Sequence, residues 1–221
     1  MVIYGICALL IATTSILGTL AYLTDSEEAI NTFTVGKVDI VLDETDTDAN
    51  GVPIPGAARV TENEYHMIPG QKYTKDPTIV VQNGSAEAYI RMIVEINCYD
   101  VLQQIFNGGF LPQYFVEGWD DTTWLTTNEI KVSTDGKTAS YEFRYKLPVD
   151  ASNADVPLAP LFEKFVVPAE FDGDDLQALQ TLKIRVIGHA IQTGSFEDTG
   201  TTSAEDAAWA AFDAQMASAN P

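Results

Sequence analysis

The residues best suited to hold a metal ion come early in the chain. Asp46-Thr47-Asp48-Ala49-Asn50-Gly51 sets oxygen-bearing side chains at alternate positions and follows them with glycine. That is the arrangement of the first half of a calcium loop, whose twelfth position is a bidentate Glu. Here the twelfth position is Ala57. Asp46, Asp48 and Asn50 are thus half of a calcium set; the other reading is an acidic hairpin loop stiffened by Pro53 and Pro55. A catalytic zinc needs three protein ligands, two of them from one helix face in H-E-x-x-H. The two histidines, His66 and His189, lie far apart with no such motif, so both read as structural. Cys98 has no nucleophile signature around it and reads as a buried strand residue. Asp120 and Asp121 are adjacent, and adjacent strand residues point to opposite faces, so they do not share one substrate. Trp119 and Trp124 beside them read as packing residues. No G-x-S-x-G elbow and no phosphate-binding loop occurs. These residue types predict no catalytic residues, no cofactor and no enzyme.

The composition points the same way. The chain has 221 residues, 32 acidic and 12 basic, for a formal net charge of -20. Nucleic acid and anionic lipid both need Lys and Arg to displace their counterions, so neither is an expected partner. Hydrophobic residues make up 46%, enough for one sizeable core. Cys7 lies in an apolar leader. Without that leader Cys98 has no partner, and the mature fold is expected to stand without a disulfide.

The elements that must position any site are strands. Ala88, Ile90, Met92, Val94 and Ile96 alternate with Tyr89, Arg91, Ile93 and Glu95, the period of a half-buried strand. Tyr141, Phe143 and Tyr145 alternate with polar neighbours, and Leu182, Ile184, Val186, Gly188 and Ala190 do the same. Residues 33–42 and 78–82 also read as strands. Thr134-Asp135-Gly136-Lys137 is a hairpin turn joining residues 129–132 to the Tyr141 strand. Helix is sparse. Asp100 is placed to cap a short helix ended by Gly108-Gly109. Ser203 with Asp206 reads as a second helix start, with Trp209, Phe212 and Met216 forming an apolar stripe that packs on the domain. Many strands without a βαβ pattern predict an all-β antiparallel β-sandwich with a few short helices.

The start of the chain is a separate unit. Residues 1–21 carry no charge, and acid first appears at Asp25. A stretch of this length either spans a bilayer or is a signal peptide. Thr19-Leu20-Ala21 has small residues at both ends, as a signal peptidase requires, which predicts an apolar N-terminal signal helix removed after Ala21. No Lys or Arg precedes the apolar run, and a start upstream of Met1 would explain that. The organisation expected is a signal peptide over 1–21, an N-terminal segment over 22–35, a β-sandwich over 36–192 and a C-terminal helix and tail over 193–221.

The junction also carries a resemblance. Gly18-Thr19-Leu20-Ala21-Tyr22-Leu23-Thr24-Asp25, followed by Asn31-Thr32-Phe33-Thr34-Val35-Gly36-Lys37-Val38-Asp39-Ile40, resembles the start of the TasA/camelysin family of exported proteins. Val38 and Ile40 stand where that pattern has leucines. His189-Ala190-Ile191-Gln192 and the stretch from Ser203 to Trp209 resemble its closing strand and helix. The resemblance implies a jelly roll, cleavage between Ala21 and Tyr22 by a SipW-type signal peptidase, and a secreted subunit of an extracellular fibre or biofilm matrix. It implies self-assembly, head to tail, in which one copy's N-terminal segment adds a strand to the next copy's sheet. Tyr22, Leu23, Ile30, Phe33 and Val35 are the apolar residues of that donor segment. Other matrix proteins are possible partners, and a membrane is one only through an uncleaved leader. The same family brings a rival, a secreted metallopeptidase of the camelysin type, which the two scattered histidines do not support. A third reading is a monomeric binding module displayed at the surface.

Overall fold

The alternating segments fold into antiparallel sheets. The structure, a computed structural model, describes residues 37–194 and 196–219. The expected signal peptide and the expected donor segment, with Ala21, Tyr22, Leu23, Ile30, Phe33 and Val35, lie outside the described residues. Among the described residues eleven strands and three α-helices follow in order: β1 (Ile40–Asp43), β2 (Lys72–Thr74), β3 (Thr78–Val81), β4 (Ser85–Ile96), α1 (Tyr99–Ile105), β5 (Val116–Glu117), β6 (Trp124–Val132), β7 (Ala139–Tyr145), β8 (Val149–Ala151), β9 (Val156–Pro157), β10 (Lys164–Val166), α2 (Gly173–Ala178), β11 (Ile184–Gln192) and α3 (Ala204–Ala219). Among the described residues no helix is long and apolar enough to cross a membrane.

The strands make three sheets. One is ordered β1-β3-β9, a second β2-β10-β5, and the largest β11-β4-β7-β6, with β8 also pairing β4. All the pairings are antiparallel. The twelve residues of β4 are the axis of the largest sheet. Ala88, Ile90, Met92, Val94 and Ile96 are all buried, because one strand face is set by a period of two. One hydrophobic cluster takes side chains from all three sheets, including Tyr73, Ile79, Ile90, Met92, Phe143 and Phe165. Gly188 of β11 shows how closely they pack: a Cβ there would lie 3.0 Å from Cδ1 of Ile79 and 3.4 Å from Cδ1 of Ile40.

The turns follow their residues. β6 and β7 are joined through Ser133–Thr138, with Gly136 at φ 73° and the Asp135 carboxylate accepting from the Ser133 hydroxyl and the Lys137 N–H. Asp172 and Asp175 form a reciprocal capping box at the start of α2, which satisfies two otherwise orphaned N–H groups. At α1 the expected cap is displaced. Cys98, in the left-handed conformation and without a side-chain cap, occupies the N-cap position, and Asp100 lies inside the first turn. Asp100 still favours that end through the helix dipole.

Candidate functional site

Two polar centres and a set of sheet edges are the features with chemical or recognition potential. The first centre pins the long segment between β1 and β2. Glu44 and Lys75 are both buried, and the Lys75 ammonium lies 2.6 Å from Glu44 Oε2. The other Glu44 oxygen accepts from Asn63 Nδ2 at 2.9 Å. Asn63 Oδ1 in turn accepts from the N–H and hydroxyl of Thr47. Arg59 bridges Asp43 and Asp76 beside them. A segment with little regular structure is thus fastened by side chains, which satisfy the backbone groups that strands would otherwise pair.

The half-calcium pattern sits in this segment and has another use. The Asp48 carboxylate accepts from the N–H groups of Asn50 and Val52, an Asx turn closed by the Thr47–Pro53 bridge. The Asp46 carbonyl accepts from Ile54 N–H, and the Asn50 carbonyl from Gln71 Nε2. Gly51 has φ 76° and a Cβ there would fall 2.5 Å from Cα of Tyr73. The glycine is therefore required by packing against β2. Among the described residues no group of three or more His, Cys, Asp and Glu side chains is placed to hold a metal ion.

The second centre lies on the outer face of the largest sheet. Arg91 of β4 is only 3% exposed, although it alternates with the strand's core-facing residues. α3 covers it. The Arg91 guanidinium donates to Glu142 of β7 at 3.2 Å and to Asp213 of α3. Its Nε donates to Nδ1 of His189 on β11 at 3.2 Å. Its guanidinium carbon lies 4.4 Å from the Trp209 ring and 5.1 Å from the Phe212 ring, within cation–π range. Arg144 joins Glu142 to Asp206 of α3. Asp206 also meets Ser203, whose hydroxyl accepts the Asp206 N–H at 3.0 Å and caps the helix as its sequence predicts. The Arg91 hydrogen bond holds the Asp213 carboxyl below the usual carboxylate range. Burial, and then the neighbouring Arg91 charge, lower the pKa of His189. Beside the cluster is a cleft of about 190 Å³ lined in part by Arg91, Glu129, Lys131, Ser140, Glu142 and Asp213. Arg91, Glu142 and Asp213 are already paired there, and the centre works as a latch for the helix.

His66 is exposed, and its carbonyl accepts from the Tyr73 hydroxyl. Cys98 is a half-buried free thiol. Asp120 accepts from the Thr122 N–H and from the hydroxyls of Thr122 and Thr123, which brings its carboxyl down to about 2. Trp124 is fully buried with its indole N–H on the Ala159 carbonyl, and the Trp119 indole N–H reaches the Trp124 carbonyl. Of the predicted stripe on α3, Trp209 is buried and Met216 is exposed. Asp206 and Asp213 instead complete the docking face.

The edges are the third feature. Among the described residues β1 and β9, β2 and β5, and β11 and β6 terminate the three sheets. β6 is the most open of these: Ile130, Lys131 and Val132 are all exposed. An edge strand presents a row of N–H and C=O groups able to pair with another chain.

Compared with family models, curated proteins and solved structures, the chain matches none.

Proposed function

We propose that this chain is a secreted structural subunit of an extracellular fibre or biofilm matrix. In this reading the leader is removed after Ala21. Residues 22–35 of one copy then add a strand to a sheet edge of the next, and the three sheets are the layers of a jelly-roll sandwich. The observation that carries the proposal is the combination of sheet edges left open among the described residues with an apolar-patterned segment ahead of β1. Main-chain hydrogen bonds would supply the affinity and alternate side chains the specificity. Head-to-tail donation does not close, so it gives filaments. The resemblance at the Ala21–Tyr22 junction supports the same reading. So does a net charge of -20, which keeps free subunits soluble.

The test is electron microscopy of the exported protein, with its N-terminus sequenced. Filaments from a chain beginning at Tyr22 are expected, and deletion of residues 22–30 is expected to abolish them. Filaments from the deleted form would refute strand donation. Stoichiometric zinc with chelator-sensitive proteolysis would favour the metallopeptidase instead. An intact leader on a monomeric protein would favour the displayed binding module.

A further inference from the structure

The free edge of β6 has a chemistry of its own. Antiparallel strands alternate residues whose N–H and C=O point to one neighbour with residues whose groups point to the other side. The Ser133 N–H donates to the Thr138 carbonyl across the β6–β7 hairpin at 2.9 Å. Ser133 and, two residues back, Lys131 therefore turn their backbone groups toward β7. Ile130 and Val132 turn theirs outward, where β6 has no neighbouring strand among the described residues. The side chains of Ile130 and Val132 are 44% and 47% exposed. On the opposite face of the strand are Glu129 and Lys131, both exposed. Lys131 has one carboxylate contact, Asp213 at 3.9 Å.

Those residues are self-complementary about Ile130. When a second β6 runs antiparallel with Ile130 opposite Ile130, Glu129 of each strand faces Lys131 of the other. The outward-turned backbone groups of Ile130 meet as a hydrogen-bonded pair. Opposite charges directly across an antiparallel pair stabilise it, and like charges destabilise it. Asn128 has φ 58° and interrupts the regular ladder, where the register against β7 shifts between Thr126 and Ile130. The bulge bounds the pairing to the second half of the strand.

We propose that the outer edge of β6 is a homotypic docking surface, which pairs with β6 of a second copy about a two-fold axis through Ile130. The contact is isologous and closes on itself. It therefore joins two subunits side by side, and it does not rest on the strand donation proposed above.

The experiment is charge exchange in the exported protein, read by sedimentation equilibrium. Wild type is expected to dimerise. Glu129→Lys and Lys131→Glu, each of which sets like charges opposite one another twice, are expected to weaken the dimer by about tenfold or more. The double exchange Glu129→Lys/Lys131→Glu restores both pairs and is expected to recover wild-type association. A second measurement reads the contact whether or not filaments form. Ile130→Cys in a Cys98→Ser background is expected to give a disulfide-linked dimer on mild oxidation, because hydrogen-bonded antiparallel partners have Cα atoms about 5.5 Å apart, within disulfide range. A double exchange no better than either single change would overturn the proposal. So would a monomeric wild type without the Ile130 crosslink. If β6 instead receives residues 22–35 of another copy, that crosslink is absent from the filaments, and the homotypic pairing is refuted.

Discussion

Two buried cation–carboxylate centres hold two very different pieces of chain, and they are built to different tolerances. The Lys75–Glu44 pair fixes the segment between β1 and β2, and both side chains are almost fully withdrawn from water, at 11% and 5% exposure. Its supporting partners, Asn63 and Thr47, are neutral amide and hydroxyl groups. The Arg91 centre fixes α3. There the guanidinium is buried but its Asp213 partner is 43% exposed, and one of the supporting groups is a histidine. Removing one member of a buried pair leaves an uncompensated charge, which costs far more than the pair contributes as a whole. Where one member is wet, water takes up much of that cost. The first centre thus behaves as a permanent rivet and the second as a releasable latch.

Lys75→Met is the strongest test of that contrast. It leaves Glu44 buried without its ammonium and is expected to cost about 3–5 kcal/mol in global stability, read by denaturant unfolding. A cost no greater than that of breaking the Arg91 centre would mean that water reaches Glu44 and that the rivet is no different from the latch. Arg91→Met comes next. Glu142 retains Arg144 and Asp213 is half in solvent, so the expected loss is about 2–3 kcal/mol, less than the full figure for a buried charge. Its character should differ as well. α3 should lose hydrogen-exchange protection from Ala204 onward while the strands of the largest sheet keep theirs, since local opening follows local packing. Uniform loss across the molecule would show that the helix is part of the cooperative core.

This contrast was only half legible in the sequence. The alternation of β4 and β7 and the turn at Asp135-Gly136 were readable, because a period of two and a turn residue with φ above zero are local properties. So was the Ser203 cap. Alternation placed Arg91 on the polar face of its strand, and it is there, yet it is buried because a helix more than a hundred residues later lies over it. A local pattern carries no term for that. Nor could it show that Asp206 and Asp213 dock α3 beside Trp209, where an apolar stripe through Met216 was expected. Strands such as β2, β5, β9 and β10 have two or three residues, too few to express a period. The Asp48–Gly51 pattern looked like metal chemistry because an Asx turn and a calcium loop use the same residue types. Only Tyr73, packed against Gly51, distinguishes what the glycine is for.

The smallest expected effect separates the two centres most sharply. His189 accepts a hydrogen bond from Arg91 through Nδ1, so that nitrogen carries no proton in the docked state. Its ring lies 4.7 Å from that of Phe212, and Glu142 and Asp213 are the carboxylates that face it. Burial and Arg91 set its pKa in the folded protein below the ordinary value of 6.5. The sign follows: the unfolded or undocked chain binds the proton more readily. The stabilisation is complete above about pH 6.5 and is lost as pH falls through the lower, folded value. Asp213 and Asp206 are also depressed, so their contribution is retained until the pH approaches the carboxylate range. Hydrogen exchange of α3 should therefore quicken in two stages on acidification, first with His189 and then with the carboxylates. His189→Gln should remove the first stage and leave the second. The segment held by Lys75 and Glu44 should show no change across the first stage, since no histidine hydrogen-bonds to that pair. If both regions loosen together below pH 6.5, the latch and the rivet are one cooperative unit, and the distinction between them fails.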